Sequence, residues 1–255
     1  MLAGLVGAIA WDLLTWWWGL PTSSSHALIG GFAGAGIAFK GWEAVHWDIL
    51  WTVMLFIPIA PLIGFVFGFG IMLAAYWIFR QWRPMAIDRL FGKGQLFSAA
   101  LYSLGHGGND AQKAMGFIVA LLVAHGTFTP DTQLSLTDFS TARIILFCHL
   151  AIAVGTALGG WRIVKTLGIK VTKLQPVGGF CAETAGAATL FMATFLGIPV
   201  STTHTITGAI IGVGATRRLT SIKWDITTRI VLAWIVTIPC SAFIAALVLF
   251  AITAM

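Results

Sequence analysis

The segment GIPVSTTHTITGAIIGVG, residues 197–214, concentrates hydroxyl and imidazole side chains in an apolar stretch. No Asp, Glu, Lys or Arg occurs from Thr184 to Thr216. Pro199 disfavours helix at the residue before it, and a helix that begins after it leaves its first backbone N–H groups unpaired. These donors and the positive end of the helix dipole predict a binding site for a small anion; the alternative is that the hydroxyl residues only cap the broken helices and bond to neighbouring helices. The polar residues are Ser201, Thr202, Thr203, His204, Thr205 and Thr207.

A second copy of this pattern lies near the start of the chain. The segment GLPTSSSHALIGGFAGAG at 19–36 aligns without gaps to 197–214, at a constant offset of 178 positions. Downstream, WDI at 47–49 recurs at 224–226, and each copy opens a long apolar stretch with an Ile-Pro step. The sequence therefore predicts an internal structural repeat. The polar residues of the first copy are Ser23, Ser24, Ser25 and His26, and they match Ser201, Thr202, Thr203 and His204.

Composition indicates the environment of both segments. Apolar residues make up 58% of the chain and charged residues 9%, whereas soluble domains contain roughly 25% charged residues. The mean hydropathy is +0.91. Because the apolar runs are continuous rather than alternating, we expect an all-α polytopic membrane protein and not a β-barrel. The uncharged runs are 13–39, 49–79, 144–161, 184–216 and 230–255.

The distribution of charge predicts the topology. The net charge of +6 comes from basic residues in three short loops, near 80–93, 162–173 and 217–229, which the positive-inside rule assigns to the cytoplasm. The acidic loops around 40–48 and 126–142 are then outside. The two repeated segments thus leave the membrane on opposite sides. This arrangement predicts inverted-topology repeats, which many secondary transporters contain.

Each repeated segment is expected to be a re-entrant helical hairpin. Basic loops border both ends of 174–216, and either a hairpin or two full spans would satisfy them; the Pro and the hydroxyl cluster near its middle favour the hairpin. The predicted organisation begins with the C-terminal part of a first inverted repeat at 1–80, which contains the hairpin 1–39 and a helix at 48–80. A cytoplasmic loop at 81–94 follows. The second inverted repeat at 95–255 contains a broken helix at 95–125, a helix at 142–163, the hairpin 174–216 and a helix at 225–255.

Another polar cluster is SLGHGGNDAQKAMG at 103–116. Its glycines predict an unwound break, which is tolerated at membrane depth only where it lines a cavity or is buried in protein. Ionisable residues in membrane segments usually face a pathway or a partner. Asp110 is a candidate carrier of a coupling cation or proton, and Lys113 would neutralise it or face the anion. The alternative is a cytoplasmic loop–helix junction. The polar residues are His106, Asn109, Asp110, Gln112 and Lys113.

Glu183, in GGFCAETAGAAT, is either a proton carrier or a helix-terminus group. The isolated cysteines Cys148, Cys181 and Cys240 indicate buried thiols rather than a metal or disulfide framework, and no cofactor is expected. An intramembrane hydrolase is disfavoured because no nucleophile elbow or separate base is evident. A channel is disfavoured because the hairpins are paired rather than arranged as rings of charge or carbonyls.

Four motifs resemble the signature segments of the PiT inorganic phosphate transporter family, in its short bacterial low-affinity branch. They are LPTSSSHALIGG, GHGGNDAQKAMG, QPVGGFCAETAGAA and IPVSTTHTITGAIIGVG, and the resemblance covers nearly the whole chain. It implies two inverted repeats, phosphate held between the hairpin tips and the Asn-Asp motif, and cotransport with a proton or sodium.

The resemblance also assigns roles to particular residues. Phosphate contacts are implied for the hydroxyl triplets and one amide, namely Ser23, Ser24, Ser25, Asn109, Ser201, Thr202 and Thr203. Cation or proton coupling is implied for Asp110 and Glu183, with a sodium site near Asn109 and Asp110 as one alternative. Supporting roles are expected for His26, His106, Gln112, Lys113 and His204.

Members of the PiT family have two Asn-Asp motifs, and this sequence contains one. The offset of 178 would place the other before Met1, so the expectation is a chain without one or two N-terminal helices. The alternative function is then a non-transporting remnant or a membrane subunit. The expected partners are phosphate, arsenate or a divalent metal–phosphate complex, a proton or sodium, lipid and a second copy in a homodimer. A multi-pass protein of the inner cell membrane is expected, with neither enzyme activity nor nucleic-acid binding.

Overall fold

The computed structural model describes residues 1–254, which form nine α-helices and no β-strand. The helices are α1 (Leu2–Trp18), α2 (Ser24–Lys40), α3 (Trp47–Phe79), α4 (Pro84–Ala124), α5 (Phe139–Gly159), α6 (Trp161–Lys165), α7 (Pro176–Phe195), α8 (Thr202–Ala215) and α9 (Trp224–Thr253). A π-helical segment, Thr166–Val171, follows α6. Helices α3, α5 and α9 are long and apolar enough to cross a bilayer. The predicted all-α membrane fold is confirmed.

Both repeated segments form helical hairpins, α1–α2 and α7–α8. Each hairpin turns at a glycine in the left-handed conformation, Gly19 with φ 68° and Gly197 with φ 64°. A side chain at either position would be strained, because this region favours residues without Cβ. The two glycines are related by the offset of the sequence repeat. The same turn chemistry therefore reverses the chain in both copies.

Each hairpin packs on the long helix that follows the other hairpin in the chain. α2 lies against α9, and a Cβ added to Gly30 would overlap the backbone of Ile238. α8 lies against α3, and a Cβ added to Gly208 would overlap the backbone of Pro61. Small residues permit this close approach between membrane helices. The pairing of α2 with α9 is therefore the counterpart, in the sequence repeat, of the pairing of α8 with α3. The opposite orientation of the two repeats across the membrane stays a prediction.

The predicted break in α4 is wrong. The helix is continuous over Pro84–Ala124, including the glycines of the GHGG motif. The side-chain amide of Asn109 donates to the Gly105 carbonyl at 2.8 Å within the helix, and α4 packs along α7. These contacts offset the cost of the glycines, about 1 kcal/mol each relative to Ala. The predicted loop at 81–94 is also mostly helical, because Pro84 suits the first position of a helix.

Candidate functional site

The hairpin turns meet at the polar cluster of α4. We call residues 20–25 tip 1 and residues 198–203 tip 2. The Lys113 ammonium donates to the Ser25 hydroxyl of tip 1 at 2.8 Å and to the Val200 carbonyl of tip 2 at 3.1 Å. One α4 side chain thus joins the two tips. The sequence analysis expected both hydroxyl clusters to lie near the Asn-Asp motif, and the contacts of Lys113 bring them together there.

Three side chains contact the Asp110 carboxylate at the same place, and two of them donate hydrogen bonds to it. The Thr202 hydroxyl donates to Oδ2 at 3.1 Å, and His106 Nε2 lies 3.0 Å from the same oxygen. The Lys113 ammonium lies 3.3 Å from Oδ1. Both carboxylate oxygens are therefore engaged, one of them by tip 2. The helix geometry explains the set, because His106 and Lys113 lie one turn before and after Asp110.

Each tip ends in a capped helix N-terminus. Ser23 caps α2 by accepting from the His26 N–H at 3.3 Å, and Ser201 caps α8 by accepting from the His204 N–H at 3.2 Å. A side-chain cap satisfies only one of the four unpaired N–H groups of a helix start. The remaining donors and the positive ends of two helix dipoles are therefore available at the tips. Such positions bind anions.

The two repeated histidines touch where the hairpins meet. The ring centroids of His26 and His204 are 4.8 Å apart, and the His204 ring stacks on Trp234 at 4.0 Å. Trp234 in turn donates its indole N–H to the Pro21 carbonyl of tip 1 at 2.9 Å. Both ring nitrogens of His204 are buried without a hydrogen-bond partner among residues 1–254. This position favours a role in orienting the tips over direct contact with an anion.

A cavity of about 540 Å³ opens beside tip 1, between α1, α4 and α5. It exceeds the volume of a single water, about 30 Å³, many times over, and so accommodates a hydrated small ion. Asp12 on α1 lines it, although the sequence analysis did not single out this residue. The signal available was a carboxylate at the edge of an otherwise uncharged run. The polar lining comprises Asp12, Thr15, Thr22, Ser24, His106, Asp110 and Thr156.

Glu183 does not join Asp110. Its carboxylate accepts from the Ser98 hydroxyl at 2.6 Å and from Gln95 Nε2 at 3.5 Å. Ser98 precedes Asp110 on α4 by 12 residues, which is about 18 Å along the helix axis. A coupling role for Glu183 would therefore require a second site, between α4 and α7.

Two other residues predicted for the site, Gln112 and Asn109, make no hydrogen bond to either tip. Gln112 is exposed and makes no hydrogen bond within the described part of the chain. The Asn109 amide donates to Gly105 and, at 3.0 Å, to the Thr194 hydroxyl of α7. A phosphate contact by Asn109 would require it to exchange one of these partners.

Comparisons with known proteins identify relatives of this chain. Residues 1–245 match the model of the Phosphate transporter family. A "Probable low-affinity inorganic phosphate transporter" of Rhizobium meliloti (strain 1021) is 51% identical over 98% of this chain and 73% of the relative. A protein of the same description from Bacillus subtilis (strain 168) is 41% identical over 98% of this chain and 73% of the relative.

A solved structure described as "The sodium-dependent phosphate transporter" superposes with a TM-score of 0.82 at 22% identity, over 100% of this chain and 79% of that one. This likeness establishes the fold. The relatives are transporters and not enzymes, and the bacterial relatives place the protein in the inner membrane as a multi-pass protein. The family match and the two identities above 40% show that the chain belongs to the phosphate transporter family.

Proposed function

We propose that the protein carries out cation-coupled symport of inorganic phosphate, with phosphate bound between tip 1 and tip 2. The observation that carries the proposal is the bridge from Lys113 to both tips. It brings two helix N-termini, several hydroxyls and one ammonium group to a single point, and all of these groups favour an oxyanion.

Within this site the hydroxyls have different tasks. Ser23 and Ser201 hold the helix starts in place as N-caps. Ser25 and Thr202 bond to the charged pair on α4 and would turn to phosphate when it enters. Ser24 and Thr203 complete the proposed phosphate contacts.

The negative charge of Asp110 provides a reason for phosphate to be transported together with a cation. A phosphate beside the Asp110 carboxylate would place like charges a few ångströms apart, which costs about 4 kcal/mol at 4 Å and an effective dielectric constant of 20. A cation or proton that enters with phosphate removes this repulsion. We therefore propose Asp110 as the coupling carboxylate, with a proton or sodium as the driving ion, whereas Glu183 is a second candidate at its separate position.

The alternative of a non-transporting remnant is not favoured, because the relatives that are 51% and 41% identical are described as inorganic phosphate transporters. A homodimer and a metal–phosphate cargo stay predictions.

The test is uptake of radioactive phosphate by the full chain in proteoliposomes, under an imposed proton or sodium gradient. We expect accumulation in wild type. We expect Asp110→Asn to lose accumulation more severely than it loses phosphate binding, because the substitution keeps the size and removes the charge. Wild-type vesicles that accumulate no phosphate under either gradient would refute symport. Equal losses of binding and accumulation would make Asp110 an anion-site residue instead.

A further inference from the structure

Three oxygens surround the Lys113 ammonium. They belong to the Ser25 hydroxyl at 2.8 Å, the Val200 backbone carbonyl at 3.1 Å and the Asp110 carboxylate at 3.3 Å. An ammonium group has three donors and no acceptor, so each hydrogen has one oxygen available. We call these three oxygens and the space they enclose the cage.

The cage has the chemistry of a cation site. Carboxylate and carbonyl oxygens are the ligands that hard cations prefer, and transporters often bind sodium where backbone carbonyls are free near helix breaks. Val200 provides such a carbonyl in the turn before α8. The Asp110 carboxylate supplies the negative charge that a monovalent cation would balance.

In this protein the Lys113 ammonium, which is part of the chain, occupies the cage. The Lys113 side chain is partly buried, with 24% of its surface exposed, and Asp110 retains 15%. A sodium ion at the same oxygens would have to displace the ammonium or lie beside it, and two like charges at contact repel strongly in a partly buried site. Because the ammonium is tethered to α4, it competes with free sodium for these oxygens at a high effective concentration.

We propose that the Lys113 ammonium takes the place of a free sodium ion at the phosphate site. This inference rests on the proposed function in one respect, namely that phosphate binds at the tips. It makes phosphate binding independent of sodium, so that of the two driving ions proposed above it selects the proton, and it makes Lys113 the residue that determines which cation the site accepts. Removing the side chain leaves Asp110, Ser25 and Val200 free to bind sodium.

The test compares phosphate affinity in sodium chloride and in choline chloride at equal ionic strength, by calorimetry on the purified full chain. We expect equal affinities for wild type. We expect Lys113→Ala to bind phosphate more tightly in sodium than in choline, by roughly fivefold or more, the usual lower range of coupling between two ligands. The response should disappear in Lys113→Ala/Asp110→Asn. Lys93→Ala, an exposed position on the same helix, is the matched control and should behave as wild type.

A second readout does not depend on phosphate. Lys113→Gln keeps a side chain of similar length without charge, and its thermal unfolding temperature should rise with sodium but not with choline, because sodium binds only the folded site. Wild type should show no such difference.

Sodium-stimulated phosphate binding in wild type would overturn the inference. So would Lys113→Ala and Lys113→Gln proteins that respond equally to sodium and choline. Failure of the proposed function is distinguishable from these results, because wild type would then bind no phosphate in either salt.

Discussion

Replacing Gly208 by Ala tests the close packing that positions tip 2. A Cβ at this residue would overlap the backbone of Pro61 on α3, and backbone atoms cannot move aside as a flexible side chain can. Overpacking of this kind typically costs about 1–3 kcal/mol. An Ala also gains up to about 1 kcal/mol over Gly from helix propensity. The matched variant Gly70→Ala on α3 shares this gain, and its Cβ would meet nothing within 4 Å.

The difference between the two variants therefore isolates the packing cost. For a protein of this size it corresponds to roughly 2–12 °C in the apparent unfolding temperature, measured by thermal unfolding in detergent. We expect Gly208→Ala to be the less stable of the two and to bind phosphate more weakly, because displacement of α8 moves Thr202 away from Asp110. Equal unfolding temperatures of Gly208→Ala and Gly70→Ala would refute the close packing of α8 on α3.

Three further predictions concern single side chains. Thr202→Ala should weaken phosphate binding by about 1–3 kcal/mol, the usual loss of a hydrogen bond to a charged group, and Thr205→Ala should weaken it less in the same titration, because the Thr205 hydroxyl bonds back within α8. Trp234→Phe removes the indole bond to tip 1 and should lower thermal stability by about 0.5–1.5 kcal/mol; unchanged stability would show that the bond contributes nothing. The hydrogen bond from the Ser140 hydroxyl holds the pKa of Asp138 below its ordinary value, so its capping of α5 is complete above that value and is lost as the pH falls through the lower folded pKa. The protection factors of the amides in the first turn of α5, which are corrected for the intrinsic pH dependence of exchange, should therefore fall on acidification in wild type and not in Asp138→Asn.

The hairpins were predictable because the same sequence pattern occurs twice, at 19–36 and at 197–214. Pro199 indicates the turn, the hydroxyl residues after it indicate a helix start, and the copy at 19–36 repeats both signals. Such local signals agree with the tertiary structure at both positions. The same reasoning failed at α4, where the glycines alone suggested a break.

The continuity of α4 depends on contacts that no local pattern contains. Leu190 of α7 packs at Gly105, and Asn109 bonds to Thr194 on the same neighbouring helix. The bridge from Lys113 to both tips likewise requires three segments that are distant in sequence. The sequence could predict the types of residue in the site, but not which of them touch.

A phosphate site between the tips is tested most directly with arsenate, an oxyanion of the same shape that scatters anomalously. Crystals of the protein grown with arsenate should show one anomalous peak between the N-termini of α2 and α8, within hydrogen-bond distance of Ser25 and Thr202, and soaking with phosphate should remove it. A displaceable peak elsewhere, with none between the tips, would contradict the site.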